Sequence, residues 1–250
     1  MADAEILLRG RELTRRWGGL VAVNEVSLDL ARGTVHGLIG TNGAGKSTMI
    51  NMLSGEYPPS EGTVELMGRD VTRRSQPERA RAGLGRSYQR NTIYPTFTVL
   101  ENCRLAAQAN AQHPWRLWQS ADACAHSMPA ARDAAGRVGL ADFLERPAGL
   151  LSHGQKRQLE IAMCLATSPQ VLLLDEPLAG MGAEETERML GLLDSLKADH
   201  AILLVEHDMD AVFRAADRVT VMVNGSVIAS GTPDEVRSDP AVQTAYLGGH

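Results

Sequence analysis

Nine consecutive residues, Gly40-Thr41-Asn42-Gly43-Ala44-Gly45-Lys46-Ser47-Thr48, fit the pattern G-x-x-x-x-G-K-[ST], whose chemistry is the cradling of phosphate. The glycines let backbone N–H groups turn inward around phosphate oxygens, where a Cβ would obstruct them. Lys46 can reach the β- and γ-phosphates of a nucleoside triphosphate, and the Ser47 hydroxyl can ligate Mg²⁺. Asn42, Gly43, Ala44, Gly45 and Thr48 complete the set expected to hold the nucleotide. Such a loop needs a strand before it and a helix after it. Thr34-Val35-His36-Gly37-Leu38-Ile39 reads as a short buried strand, and Met49-Ile50-Asn51-Met52-Leu53 as the start of a helix. The dipole at that helix start favours negative charge. A plain glycine turn does not account for Gly-Lys-Ser-Thr with both flanks in place.

A second group of chemical residues follows the apolar run Val171-Leu172-Leu173-Leu174, which leads into Asp175-Glu176-Pro177. A buried strand ending in two carboxylates delivers them to the sheet edge where ligands of α/β folds sit. Asp175 is expected to hold Mg²⁺ and Glu176 to polarise an attacking water as general base. Upstream, Leu151-Ser152-His153-Gly154-Gln155 precedes the helix that Lys156-Arg157-Gln158-Leu159-Glu160-Ile161 opens. Ser152 is placed as its N-cap, which makes a second helix start able to face an anion.

The elements that must position these groups are legible in outline. Residues 5–9, 25–30 and 63–67 read as strands separated by turns at Gly18-Gly19, Arg32-Gly33 and Gly68-Arg69-Asp70, and are expected to form an antiparallel layer. Residues 98–146 have helical composition, with breaks expected at Pro114, Pro129 and Gly136–Gly139. Then follow helix 155–167, strand 171–174, helix 184–197, strand 201–205 and helix 209–216. Strands 219–223 and 226–229 flank Asn224-Gly225, a two-residue hairpin signal. Apolar strands alternating with helices predict an α/β fold with a mostly parallel core sheet covered on both faces. One domain is expected over 1–250, with 1–90 and 168–250 as the nucleotide-binding core and 91–167 as a helical subdomain.

Composition narrows the class. A formal charge of −5 over 250 residues argues against a nucleic-acid partner. Cys103, Cys124 and Cys164 form no C-x-x-C pair, so neither a zinc nor a redox motif is indicated. No apolar run approaches the roughly 20 residues of a membrane span, and the N-terminus, Met1-Ala2-Asp3-Ala4-Glu5, is acidic and reads as lacking a signal-peptide h-region. A membrane role is therefore expected to come through a partner.

Taken in order, these motifs resemble those of the ATP-binding cassette (ABC) ATPases, the nucleotide-binding subunits of ABC transporters. The resemblance covers essentially the whole chain. The phosphate loop is Gly40–Thr48, the signature Leu151–Gln155 and the second acidic motif Val171–Glu176. Gln89, in Gly85-Arg86-Ser87-Tyr88-Gln89, fits the Q-loop glutamine. His207, in Leu204-Val205-Glu206-His207-Asp208, fits the switch histidine. Trp17, in Arg16-Trp17-Gly18-Gly19, fits the aromatic that stacks on adenine, as aromatics stack on bases elsewhere. The resemblance implies a P-loop NTPase fold of the ABC type, ATP as substrate and Mg²⁺ as cofactor. It implies Gln89 as a reversible Mg²⁺ ligand and His207 as a γ-phosphate contact. It also implies that Ser152, Gly154 and Gln155 of one subunit face the ATP of another, so that ATP closes a dimer and hydrolysis opens it. A second cassette, identical or different, integral membrane permease subunits and a separate solute-binding protein are the implied partners, at the cytoplasmic face of the inner membrane.

Three positions depart from the family pattern. His153 stands where glycine is usual, and Thr41 where proline is common. The segment after Pro177, usually Ser-Ala-Leu-Asp, is Ala179-Gly180-Met181-Gly182, so the aspartate that links the two sites is missing. The segments Arg15–Val23, Arg86–Gln89, Thr98–Asn102, Leu-Ser-His-Gly-Gln, Pro177–Met181 and Ala245–Gly248 resemble ATPases of branched-chain amino acid importers. Urea and amide importers share this look, and lipopolysaccharide-export ATPases do so more distantly. Trp115 and Trp118 are candidate permease anchors. No added regulatory domain is expected after the hairpin. A soluble cassette acting on DNA or ribosomes is the competing class, but 61 residues between Gln89 and Leu151 leave no long coiled-coil insertion.

Overall fold

Four runs of aliphatic residues become parallel strands because each offers apolar side chains to both faces at once. In the computed structural model, which describes residues 5–88, 93–111 and 127–247, the chain opens with a hairpin of β1 (Ile6–Trp17) and β2 (Leu20–Ala31). Then come β3 (Val35–Gly40), α1 (Lys46–Ser54), β4 (Glu61–Leu66), β5 (Arg69–Asp70), α2 (Gln76–Arg81) and β6 (Leu84–Arg86). Helices α3 (Val99–Ala111), α4 (Ser127–Arg137) and α5 (His153–Leu165) follow. The last third alternates: β7 (Val171–Asp175), α6 (Ala183–Lys197), β8 (Ala201–Val205), α7 (Met209–Ala215), β9 (Arg218–Val223) and β10 (Ser226–Gly231), then α8 (Pro233–Ser238) and α9 (Pro240–Leu247).

The strands form two sheets. One is antiparallel, in the order β2-β1-β4-β5. The other has the order β10-β9-β3-β8-β7-β6 and is parallel except for the β9–β10 hairpin. Val171 and Leu173 of β7 face a core shared with α1 and the antiparallel sheet. Leu172 and Leu174 face the opposite core, built with α3, α5, α6 and α7. Each such leucine contributes about 1.5–3 kcal/mol by its burial, so the double-faced pattern holds the strand in place from both sides.

The antiparallel strands run longer than the sequence suggests. Glu12 and Glu25 have φ of 49° and 52°, and the β1 ladder shifts register near them. These bulges interrupt the apolar alternation, which hides the strand from a period-2 reading. Pro129 does not break a helix. It lies in the first turn of α4, where its missing N–H has no intrahelical acceptor to lose. The break does come at Gly139, with φ 78°. Asn224 and Gly225, at φ 48° and 82°, make the two-residue turn joining β9 to β10. Among the described residues, no helix is long and apolar enough to cross a membrane.

Candidate nucleotide site

The parallel register lines up the chemical groups. Leu38 pairs with Val205, and Val205 pairs with Asp175. The phosphate loop, Glu176 and Glu206-His207 therefore leave three adjacent strands at one edge of the sheet.

At the loop, Gly45 takes the N-cap of α1 with φ 102°, and no side chain among the described residues caps that helix. Its first N–H groups are left for an anion. A β-carbon at Gly45 would lie 2.6 Å from the Ala22 carbonyl oxygen of β2, so both backbone conformation and crowding require glycine there. Lys46 is buried, and its ammonium folds back to donate to the carbonyls of Gly40 (2.7 Å) and Thr41 (3.2 Å). Burial lowers its pKa, against the opposing fields of Glu176, Asp175 and Glu206. Three carboxylates are thus within electrostatic reach of one lysine. Asn42, Gly43 and Ser47 are exposed along the loop and helix start.

Asp175 is nearly buried, and burial raises its pKa while Arg86 and Lys46 oppose. Its backbone N–H donates to Ser87 Oγ (3.2 Å). The Arg86 guanidinium lies 4.0 Å from its carboxylate and donates to Ser54 Oγ (2.6 Å) and Asn51 Oδ1 (2.5 Å) of α1. Glu176 has φ 49°, a backbone conformation that costs a non-glycine residue about 1–3 kcal/mol. Its N–H donates to the Val205 carbonyl (2.8 Å), which pins it to β8. His207 Nδ1 stands 3.9 Å from Glu176 Oε1 and 3.7 Å from Glu206 Oε2. Glu206 is buried, which raises its pKa, and it accepts from the N–H groups of Leu178 (2.8 Å) and His207 (3.3 Å).

Two residues at this edge could contribute to holding a metal, Ser47 with a hydroxyl and Asp175 with a carboxylate, both hard oxygen donors. No group of three or more His, Cys, Asp or Glu among the described residues could cage a metal alone. Two oxygen donors are the kind of protein contribution that Mg²⁺ takes, since it keeps waters and substrate phosphates as its other ligands.

Ser152, Gly154 and Gln155 gather elsewhere. Ser152 caps α5, with its Oγ accepting from the Gln155 N–H (3.2 Å) while Gln155 Oε1 accepts from the Ser152 N–H (3.0 Å). A cavity of about 220 Å³ opens there, lined with Glu185 and Arg188 of α6 and with no residue of the phosphate loop. Ser152 Oγ lies 3.5 Å from Glu185 Oε1, and a β-carbon at Gly154 would meet that same oxygen at 2.7 Å. Two departures from the family pattern meet nearby: His153 packs on Gly180, whose φ is 74°.

Trp17 is 48% exposed, so it is not a core tryptophan. The hairpin that ends in it rests on the loop through Ala22 and Val23, both within contact of Gly45. Gln89, Trp115 and Trp118 lie outside the described residues. Sequence reasoning passed over Arg86, Glu206 and Glu185. The one available signal was position: Arg86 and Glu206 stand at the ends of core strands, beside residues already singled out.

Comparison with known proteins places these features in a wider set. Residues 23–179 match the family described as "ABC transporter", and residues 226–250 match "Branched-chain amino acid ATP-binding cassette transporter". The chain is 40% identical to the high-affinity branched-chain amino acid transport ATP-binding protein LivG of Salmonella typhimurium, over 97% of this chain and 98% of that one. It is 38% identical to BraF of Pseudomonas aeruginosa, which carries the same description, over 94% and 95%. Among solved structures, the ADP conformation of MJ1267, an ATP-binding cassette of an ABC transporter, superposes with a TM-score of 0.86 at 30% identity, covering 97% of this chain and 99% of that one.

Proposed function

The chain belongs to the ABC transporter family of ATP-binding cassettes, and from that premise we propose that it drives uptake of branched-chain amino acids or a closely related small solute. It is an ATPase whose hydrolysis is coupled to transmembrane transport. Membrane permeases and a second cassette are the partners of such a subunit. We further propose that it sits peripherally on the cytoplasmic face of the membrane, served by a separate solute-binding protein. Two different cassettes are the pairing we favour. The solute rests on the two relatives named above and on the match at residues 226–250. The alternatives raised by the sequence, a cassette acting on DNA or ribosomes and a lipopolysaccharide-type exporter, draw no support from them.

In the proposed mechanism, Asn42–Thr48 bind the triphosphate through backbone N–H groups at the uncapped α1 start, and Trp17 stacks on the base. Lys46 exchanges the Gly40 and Thr41 carbonyls for phosphate oxygens. Ser47, Asp175 and Gln89 would hold Mg²⁺, which supplies charge neutralisation on the phosphates when bound. Glu176, pinned to β8, takes the proton of the attacking water, and His207 orients that water and the γ-phosphate. Ser152, Gly154 and Gln155 face the partner's ATP. Their cavity contains no phosphate-loop residue, which supports a site completed across two subunits. Within the single domain, 91–167 is read as the helical part that carries this face.

The observation that carries the reading is the alignment of Leu38, Val205 and Asp175 across three strands. The test is capture of tagged Glu176→Gln with ATP from detergent-solubilised native membranes, read by mass spectrometry. Recovery of permeases with a cassette is expected. Recovery of ribosomes or DNA-bound proteins would overturn the transport assignment.

A further inference from the structure

The indole of Trp17 does not stand alone. Arg15 is two residues earlier on β1, so both side chains leave the strand on the same face. The Arg15 guanidinium carbon lies 3.9 Å from the centroid of the Trp17 ring and 4.8 Å from that of Tyr57. Tyr57 meets the indole edge-on, at 5.2 Å between centroids and 80° between planes. Arg15 Nη1 donates to the Pro58 carbonyl (2.8 Å), which ties the guanidinium to the chain carrying Tyr57. Its Nε is buried with no hydrogen-bond partner among the described residues, so that side of the group is held by aromatic surface and not by polar contacts. The Tyr57 hydroxyl in turn accepts from Asn51 Nδ2 of α1 (3.3 Å). A cation therefore covers one face of the indole and a tyrosine buttresses its edge, yet the tryptophan as a whole is 48% exposed.

We infer that Arg15 is the positioning residue of the base-stacking site: with Tyr57 it fixes the Trp17 ring so that its free face is presented to the base of the nucleotide. The inference rests on the reading that Trp17 stacks on that base. An exposed tryptophan at a hairpin tip otherwise samples several rotamers, and each must be given up on binding. A planar guanidinium tethered at Pro58 removes that freedom in advance, and cation–π attraction holds the stack. Lysine has the charge but not the plane, so it replaces only part of this.

The test uses the full chain carrying Trp115→Phe and Trp118→Phe, which leaves Trp17 as the sole indole emitter. ATP and inorganic tripolyphosphate, a probe without a base, are titrated against Arg15→Ala, Arg15→Lys and Trp17→Ala. Arg15→Ala is expected to weaken ATP by about three- to ten-fold, to shift the Trp17 emission, and to leave tripolyphosphate affinity unchanged. Arg15→Lys falls between. Unchanged or tighter ATP binding by Arg15→Ala overturns the inference, as does an equal loss for both ligands, which is the mark of a merely structural residue. If Trp17→Ala itself binds ATP normally, the stacking reading fails, independently of Arg15.

Discussion

His207 Nδ1 lies 3.9 Å from Glu176 Oε1, a close approach between the ends of two neighbouring strands. Glu176 is held there by a left-handed backbone and by the Val205 carbonyl, so its carboxylate is placed before any substrate arrives. Glu176→Gln keeps shape and loses basicity. Turnover is expected to fall by about 10²–10⁴-fold, with ATP binding retained and dimer accumulating in ATP on size-exclusion chromatography. Undiminished phosphate release by this variant removes Glu176 from the role of general base.

Glu185 places a carboxylate oxygen 3.5 Å from Ser152 Oγ, at the start of a helix that has no acidic residue in its own first turn. The same helix start is proposed to face the partner's ATP, and like charges there oppose each other. Glu185→Gln is expected to lower the ATP concentration for half-maximal dimerisation by about two- to five-fold. A higher requirement would mean that the carboxylate assists closure.

Arg79 is fully buried and donates to four carbonyls: Met52 and Leu53 at the C-terminal end of α1 (2.8 Å each), Thr72 (3.0 Å) and Arg74 (3.1 Å). Burial pushes its pKa down to about 10, still well above neutrality. Arg79→Met strips these acceptors of their donor, and about 3 kcal/mol or more of stability should be lost in urea denaturation. A loss below about 1 kcal/mol would show that water replaces the guanidinium.

His36 gives the fold a pH dependence. Its Nδ1 faces the Asp29 carbonyl (3.2 Å), which can only accept, so Nδ1 carries the proton and Nε2 accepts from Thr220 Oγ1 (2.9 Å). Burial lowers its pKa from 6.5 to about 4. The unfolded chain therefore binds the extra proton first, and this contribution is complete above about pH 6.5 and lost as pH falls towards 4. The size is about 3 kcal/mol. His36→Gln should flatten the denaturation profile between pH 6.5 and 4 relative to the parent chain. Parallel profiles would refute the assignment.

The sequence exposed the residues whose chemistry is local. Gly40–Thr48 and Val171–Glu176 declare strand, loop and carboxylates within a dozen residues, and Asn224-Gly225 declares its turn. What it concealed depends on distant partners. Arg86 gains meaning only when β6 is laid beside β7 and reaches both α1 and Asp175. Glu206 carries no local signal of its own, because its hold on the Leu178 N–H spans 28 residues. The full length of β1 and β2 was masked by bulges at Glu12 and Glu25. Pro129 looked like a helix breaker because its place within the helix was not known.

The pairing of Leu38 with Val205 and of Val205 with Asp175 bears on how such a chain can change over time. Gaining or losing one residue inside β3, β7 or β8 would slide a group of the candidate site by about 3.3 Å and turn it to the other side of the sheet. Point substitutions among the buried aliphatic residues keep the count and can be absorbed. Insertions and deletions are therefore expected only in the connecting segments, and the geometry of these three strands constrains the number of their residues more tightly than their identity.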